Sequence, residues 1–298
     1  MTPLIIVNPV AGSGRARRFW ARCAAACAGA GLEVEVFQTR RRGDAADRAA
    51  EAGDRLVVAV GGDGTAHEVV NGLLRRPGAA PPRFGALLAG TGADFVRSVA
   101  SPSRPEQIPA WLQSGRFRPL DAGRVGTSTG RRYFINAADA GIGAEVVRRA
   151  AGGPALLGGT LNFLQAAVAS LLVHQNARVR LRLDQGPVQD LRIRTVAICN
   201  GAYLGGGMRM APRARPDDGL FEVVMIGDLG RFEGILSLPL LYQGRHDRLA
   251  QVRFASARRV EVDTDHPIGV EADGELIGET PAVFEVMPGA LQVLDWRL

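Results

Sequence analysis

Lysine is absent: all 36 basic residues of the 298-residue chain are arginine. A P-loop nucleoside triphosphatase needs a phosphate-binding lysine, a protein-kinase fold needs its strand lysine, and a Schiff-base enzyme needs one for its imine. All three classes are excluded. Cysteine is scarce and odd in number. Cys23, Cys27 and Cys199 have no metal-ligand spacing to the four histidines and read as small core residues of a reducing compartment. The opening MTPLIIVNP enters a strand at once, without the basic region and apolar stretch of a secretion signal. The longest run free of Arg, Asp and Glu, residues 150–177, is not a membrane span. It is broken by Gly152, Gly153, Pro154, Gly158 and Gly159 and made polar by Asn162, Gln165 and His174. Long basic runs and basic–aromatic interleaving are also missing, so nucleic acid is not an expected partner.

What remains is ordinary for a folded protein: 46% hydrophobic and 22% charged residues, in a length that suits about two domains. The net charge of +6 is uneven. Residues 1–120 carry 16 Arg against 10 acids, and the remainder carries 20 of each. A basic first half suits a polyanionic ligand such as a nucleotide.

The first half alternates strands and helices. Strands are expected at 4–8, 32–37, 56–60 and 84–88, with helices at 15–29, 44–52 and 66–74. This order implies an α/β domain with a doubly wound parallel sheet, whose ligands sit at the carboxyl ends of the strands. Three of the strands run into Gly-rich loops: NPVAGSG (residues 8–14), GGDGT (61–65) and GTGAD (90–94). The second half changes to a strict two-residue period at 178–183, 190–198, 220–225 and 259–262, the mark of antiparallel strands with one buried face. It reads as a mainly antiparallel β-sandwich. The boundary is placed near Pro119, giving domains 1–118 and 119–298. Within 150–177, Leu161, Leu164, Val168 and Leu171 share a helical face, which suits packing on the sandwich or the wall of a lipid-accepting cleft.

The loops carry the chemistry. Glycines in GGDGT let backbone approach a phosphate, and Thr65 is placed to cap the helix that follows. Asp63 beside a phosphate requires a bridging cation, which implies Mg²⁺ and a triphosphate. The DGE turn at Asp273–Gly274–Glu275 could set one carboxylate on a hydroxyl and another on the metal; without other context it reads as a solvated hairpin turn.

NPVAGSG, GGDGT and GTGADF in this order resemble the diacylglycerol kinase catalytic-domain family, which includes soluble bacterial lipid kinases and the sphingosine and ceramide kinases. Downstream, Asp121, NAADAGIG (136–143), the Asn200–Met208 segment, PDDGL (216–220) and DGE (273–275) are similar to further motifs of that family. The resemblance implies an ATP-dependent, Mg²⁺-dependent kinase that phosphorylates a lipid alcohol. Nucleotide would lie in the crevice between the domains, and the lipid would come from the second-domain side. It implies that Glu275 is the general base, with Asp273 and Asp63 in the catalytic machinery. Asp63, Asp94, Asp121 and Asp273 would form the acidic network around the catalytic metal and its water. Asp218, with the carbonyls of Arg215 and Leu220, would hold a structural Mg²⁺. Nucleotide contacts would come from Asn8, Pro9, Gly12, Ser13, Gly14, Thr39, Gly62, Asp63, Gly64, Thr65, Ala66, His67, Glu68 and Thr91. A cytoplasmic location with transient contact at the inner membrane face would follow, and a homodimer is open to such a protein.

Two positions depart from the family pattern. His67 and Ala93 each stand where the family usually has Asn, and both flank the nucleotide in this reading. An alternative for His67 is a helix-surface position away from the ligand. Rival readings are an NAD kinase-like enzyme, against which the Asn8–Pro9 loop and the DGE turn argue, and a non-catalytic nucleotide- or lipid-binding module, against which Asp63 and Glu275 argue.

Overall fold

The structure is a computed structural model, and it describes residues 1–76, 78, 80–88, 94–97, 99, 101–152 and 159–296. Thr91 and Ala93 lie outside the described residues. The chain divides into two compact units, Met1–Leu120 with Gly289–Leu298, and Asp121–Pro288. The last ten residues thus return to the first unit, which the division at Pro119 does not anticipate. Their affiliation is made by non-local pairing: Gln292 and Val293 pair in parallel with Arg83 and Phe84, and Arg118 Nε bonds the Asp295 carboxylate at 2.6 Å.

The first unit contains β1 (Leu4–Val7), α1 (Arg15–Gly29), β2 (Glu35–Gln38), α2 (Asp44–Ala50), β3 (Val57–Gly61), α3 (Asp63–Leu73), β4 (Arg83–Leu88) and α4 (Ile108–Gln113). The strands form a parallel sheet in the order β2-β1-β3-β4, extended by the end of β16 (Ala282–Leu294). β1 and β3 are buried along their whole length, as expected of strands covered on both faces. On one side Trp20, Cys23 and Cys27 of α1 and Trp111 of α4 pack over Ile5, Val7, Val58 and Val60. Burial pushes the Cys23 thiol up to about 12, so it stays a protonated apolar filler. Two expected elements shift. The second strand begins at Glu35, not Leu32, because the Leu32 N–H still bonds the Cys27 carbonyl at the end of α1. Helix α3 begins at Asp63, not Ala66, because Gly62 is extended (φ −112°, ψ −175°) and the chain turns helical immediately after it.

The second unit is a sandwich of two antiparallel sheets. One runs β12 (Val252–Ala257), β11 (Phe221–Ile226), β10 (Thr195–Cys199), β7 (Ala137–Gly141), β14 (Gly269–Ala272) and β15 (Glu275–Glu279). The other runs from β16 through β13 (Arg259–Thr264) and β8 (Ala177–Leu183) to β9 (Gln189–Ile193), with β5 (Phe117–Thr127) joining β16 and β6 (Gly130–Phe134). Phe134, Leu181, Val196, Ile198, Phe221, Val260 and Phe284 lie between the sheets. Helices α5 (Ile142–Ala151), α6 (Gly159–Val173) and α7 (Arg231–Gln243) complete the unit. α5 packs on α6 and α6 on α7, and side chains of α6 and α7 cover Ala137, Ala197, Cys199 and Val224 on the outer face of the six-stranded sheet.

The expected single strand 190–198 is two strands in different sheets. Only Arg194 separates β9 from β10, and β10 is buried at every position because the core lies on one side and the helices on the other. Arg194 is buried at the crossing; its N–H bonds the Ile226 carbonyl, and its Nη2 bonds the Leu229 carbonyl at 2.7 Å.

Candidate active site

In the first unit the site residues gather where the strand order turns. β1 is flanked by β2 on one side and β3 on the other, so the connections after β1 and β3 leave towards opposite faces. The crevice outside their carboxyl ends is the ligand position of such sheets. The two loops touch: Asn8 Nδ2 donates to Thr65 Oγ1 at 3.2 Å, and Asn8 Oδ1 accepts the Val10 N–H at 3.3 Å. Thr65 therefore lies in the first turn of α3 and acts as an acceptor for Asn8, in place of the expected cap. After Pro9 the chain passes through Gly12, Ser13 and Gly14, all at positive φ (59°, 57° and 81°), before α1 starts. The N–H groups of Gly14 and Arg15 bond the Val10 and Gly12 carbonyls, each at 3.3 Å, so the run is a closed turn that leads the loop after β1 into α1.

The three glycines of GGDGT have different causes. A Cβ on Gly61 would stand 2.3 Å from Thr65 Oγ1, so this glycine is required by strand–helix packing. A Cβ on Gly62 or on Gly64 would meet nothing within 4 Å. Neither glycine is required by the fold, and both leave open space at the positive end of an eleven-residue helix. Ala66 is buried in the same turn. The Asp63 carboxylate accepts the N–H groups of Asp94 (3.2 Å) and Phe95 (3.3 Å), fixing the chain after β4 to the start of α3. Asp94 is itself buried, with Arg97 Nε 3.9 Å from its carboxylate.

Thr39 follows β2, with its N–H on the Val7 carbonyl at 2.9 Å. Glu68 accepts the Gly43 N–H at 3.1 Å, so it holds the loop that carries Thr39. His67 is 6% exposed, which overturns the surface alternative for it. Its Nε2 is 3.2 Å from Asn71 Nδ2; an amide nitrogen only donates, so Nε2 accepts.

In the second unit, motifs far apart in sequence are joined by hydrogen bonds. Asp273 takes three backbone N–H groups, from Ile135 (2.9 Å), Asn136 (3.0 Å) and Ala137 (3.1 Å). Asn136 Nδ2 bonds the Tyr203 carbonyl. Asn200 Nδ2 bonds the carbonyls of Asp121 and Ile135, and the buried Asp121 carboxylate accepts the Gly219 N–H at 2.7 Å. Asp273 and Gly274 both have positive φ (49° and 82°), a tight hairpin turn that starts β15 at the half-buried Glu275. The bonds to Asp273 make it an anchor for the turn that carries Glu275. Arg215, Asp218 and Leu220 line one cavity of about 310 Å³, and Asp218 Oδ1 accepts the Leu220 N–H at 3.0 Å.

Three buried acids of the six-stranded sheet, Asp139, Glu271 and Glu222, stand outside the expected site residues. Asp139 and Glu271 stand opposite each other on β7 and β14. Burial pushes the Asp139 carboxyl up to about 7, against the Thr195 hydroxyl and the Gly143 N–H that favour its charge. Burial, and then the neighbouring Asp139, hold Glu271 well above the carboxylate range. Its Oε2 accepts the Gly274 N–H at 2.8 Å, which ties this pair to the Asp273–Glu275 turn. Burial likewise raises Glu222. The available signal was an acid alone in an apolar strand, AADAG and GVEA.

Comparison with known proteins agrees with this arrangement. Residues 2–125 match the diacylglycerol kinase catalytic domain, and residues 136–295 match the YegS C-terminal NAD kinase beta sandwich-like domain. The "Probable lipid kinase YegS-like" protein of Chromohalobacter salexigens is 30% identical over 269 residues, 88% of this chain and 84% of that one. The diacylglycerol kinase of Bacillus subtilis is 29% identical over 286 residues, 94% of this chain and 91% of its own. The fold is that of a crystallised diacylglycerol kinase of Bacillus anthracis, with a TM-score of 0.73 at 20% identity over 99% of this chain and 96% of the other. The chain carries a kinase catalytic domain and belongs to the family of diacylglycerol kinases and YegS-like lipid kinases.

Proposed function

We propose that the protein transfers the γ-phosphoryl group of ATP to the hydroxyl of a diacylglycerol-like lipid, with Mg²⁺, working from the cytoplasm at the inner face of the membrane. The observation that carries this reading is the unfilled space over Gly62 and Gly64 at the start of α3, beside the Asn8–Thr65 contact. Such space fits a triphosphate lying against helix N–H groups. Asn8, Pro9, Gly12, Ser13, Gly14 and Thr65 form its bed, with Thr39 and Glu68 bounding it. Because residues 136–295 match an NAD kinase beta sandwich-like domain, NAD phosphorylation is the competing outcome in any acceptor assay.

Among the described residues no group of three His, Cys, Asp or Glu side chains forms a cage. Mg²⁺ does not need one, since it is commonly held by one or two carboxylates with water and substrate phosphates. Asp63 suits that part in kind, as a carboxylate held at the start of α3 by the Asp94 and Phe95 N–H groups. Bound there, the ion would neutralise charge developing on the phosphates. Asp218, which lines one cavity with Arg215 and Leu220, would take a structural cation together with their carbonyls.

Glu275 takes the proton of the acceptor hydroxyl as that oxygen attacks the γ-phosphorus. ADP leaves with the pair of electrons of the broken P–O bond, and the product is a lipid phosphate monoester. Asp273 holds the turn that presents Glu275. The test is single-turnover transfer from labelled ATP with wild type, Asp63→Ala and excess EDTA. Transfer is expected in wild type alone; undiminished turnover without Asp63 or without divalent cation overturns the metal–triphosphate reading.

A further inference from the structure

Helices α6 and α7 are apolar on their outward sides as well as their inward ones. Phe232 and Leu236, one turn apart on α7, are 76% and 78% exposed, and the stripe continues to the exposed Pro239. Leu172 and Val173, at the end of α6, are exposed too. The two helices pack on each other through their buried sides, where a Cβ on Gly234 of α7 would stand 2.9 Å from Leu171 of α6. Scattered apolar residues on a surface are ordinary; two large apolar side chains, each about three-quarters exposed and one turn apart on the same helix, mark an interaction site.

The charge around the patch selects its occupant. α6 carries no charged side chain, and arginines stand at both ends of α7: Arg231 as its first residue and Arg245 just past its last. Among the described residues neither has an ion-pair partner. The acids at the first end are occupied: Asp228 pairs with Arg192 at 3.4 Å, and Glu233 turns back to the Gly230 N–H at 2.9 Å. In a twofold pairing of this face the arginines of one copy meet those of the other. An anionic bilayer offers the opposite sign and an apolar interior beneath it.

We propose that the outward face of α6 and α7 is the surface by which the protein seats on an anionic membrane, with Phe232 and Leu236 entering the acyl boundary and Arg231 and Arg245 lying at the lipid phosphates. The proposal rests on the lipid-kinase reading for its purpose, and its test does not use catalysis. The full chain is sedimented with phosphatidylglycerol–phosphatidylcholine vesicles without ATP. Phe232→Ser/Leu236→Ser is expected to weaken partitioning by at least about tenfold, with unchanged melting temperature. Arg231→Gln/Arg245→Gln is expected to lower partitioning onto these vesicles and not onto pure phosphatidylcholine. Leu236→Trp should blue-shift on vesicle addition and be quenched by brominated acyl chains. Wild type that does not sediment with vesicles, or a Phe232→Ser/Leu236→Ser variant that sediments as wild type does, overturns the proposal. So does a variant that only dissociates a wild-type dimer, which would make this face a self-interface. If partitioning falls as expected while no lipid hydroxyl is phosphorylated by wild type, the seating stands and the catalytic reading falls.

Discussion

The amide of Asn8 and the hydroxyl of Thr65, 57 positions apart in sequence, share a hydrogen bond of 3.2 Å that joins the loop after β1 to the first turn of α3. It couples the two loops expected to hold the phosphates. Thr65→Val keeps the shape and removes the acceptor. One neutral hydrogen bond contributes about 0.5–1.5 kcal/mol, so ATP affinity should weaken by about two- to tenfold. A double-mutant cycle with Asn8→Ala, read by calorimetry, should show a coupling of that size. Additive effects would mean the contact does not shape the site.

Gly61, at the end of β3, and Gly64, in the first turn of α3, should separate folding from binding. Gly61→Ala forces a methyl group to 2.3 Å from Thr65 Oγ1 and should lower stability by about 1–3 kcal/mol. Gly64→Ala replaces a helical glycine in open space and should raise stability by about 0.5–1 kcal/mol while ATP binding falls. Thermal melts and nucleotide titrations of both variants check this. A stable Gly64→Ala protein with full ATP affinity would show that the space is not a ligand's.

Asp273 and Glu275 should fail differently. Asp273→Ala releases three backbone N–H groups and should destabilise the protein by about 2–4 kcal/mol. Glu275→Gln keeps size and should leave the melting temperature near wild type while lowering kcat by about 10²–10⁴. Equal loss of stability in both would make Glu275 a second anchor.

The Asp139–Glu271 pair sets a pH dependence. Asp139 keeps its proton in the native state to about pH 7 and loses it near 4 when unfolded. The native state therefore binds more protons across that window, and stability falls as pH rises from about 4 to 7. Glu271, also raised, adds in the same direction. Asn resembles the protonated acid, so Asp139→Asn should flatten the slope and melt higher than wild type at pH 8. Parallel melting curves for the two proteins from pH 4 to 8 would contradict this.

Much of the site was legible because it is local. The apolar run before GGDGT marks a buried strand, its glycines mark the turn, and the period of two after residue 178 marks the sandwich. What escaped depends on contacts the sequence does not display. RIRTVAI alternates without a break, so the change of sheet at Arg194 is invisible; it exists because β10 must be covered on both faces. Thr65 looks like a cap, and only the early start of α3 gives its hydroxyl to Asn8. That Asp273 anchors its turn is equally hidden, because the three N–H groups its oxygens receive come from a segment 136–138 positions away.

The central claim is phosphoryl transfer from ATP to a lipid hydroxyl. Its most direct test is mass spectrometry of a bacterial lipid extract after incubation with the protein, Mg²⁺ and ATP labelled in its γ-phosphoryl oxygens. The account predicts a lipid phosphate monoester carrying the label in the wild-type reaction and not in that of Glu275→Gln. Label found in no lipid, or in phosphorylated NAD instead, would contradict it.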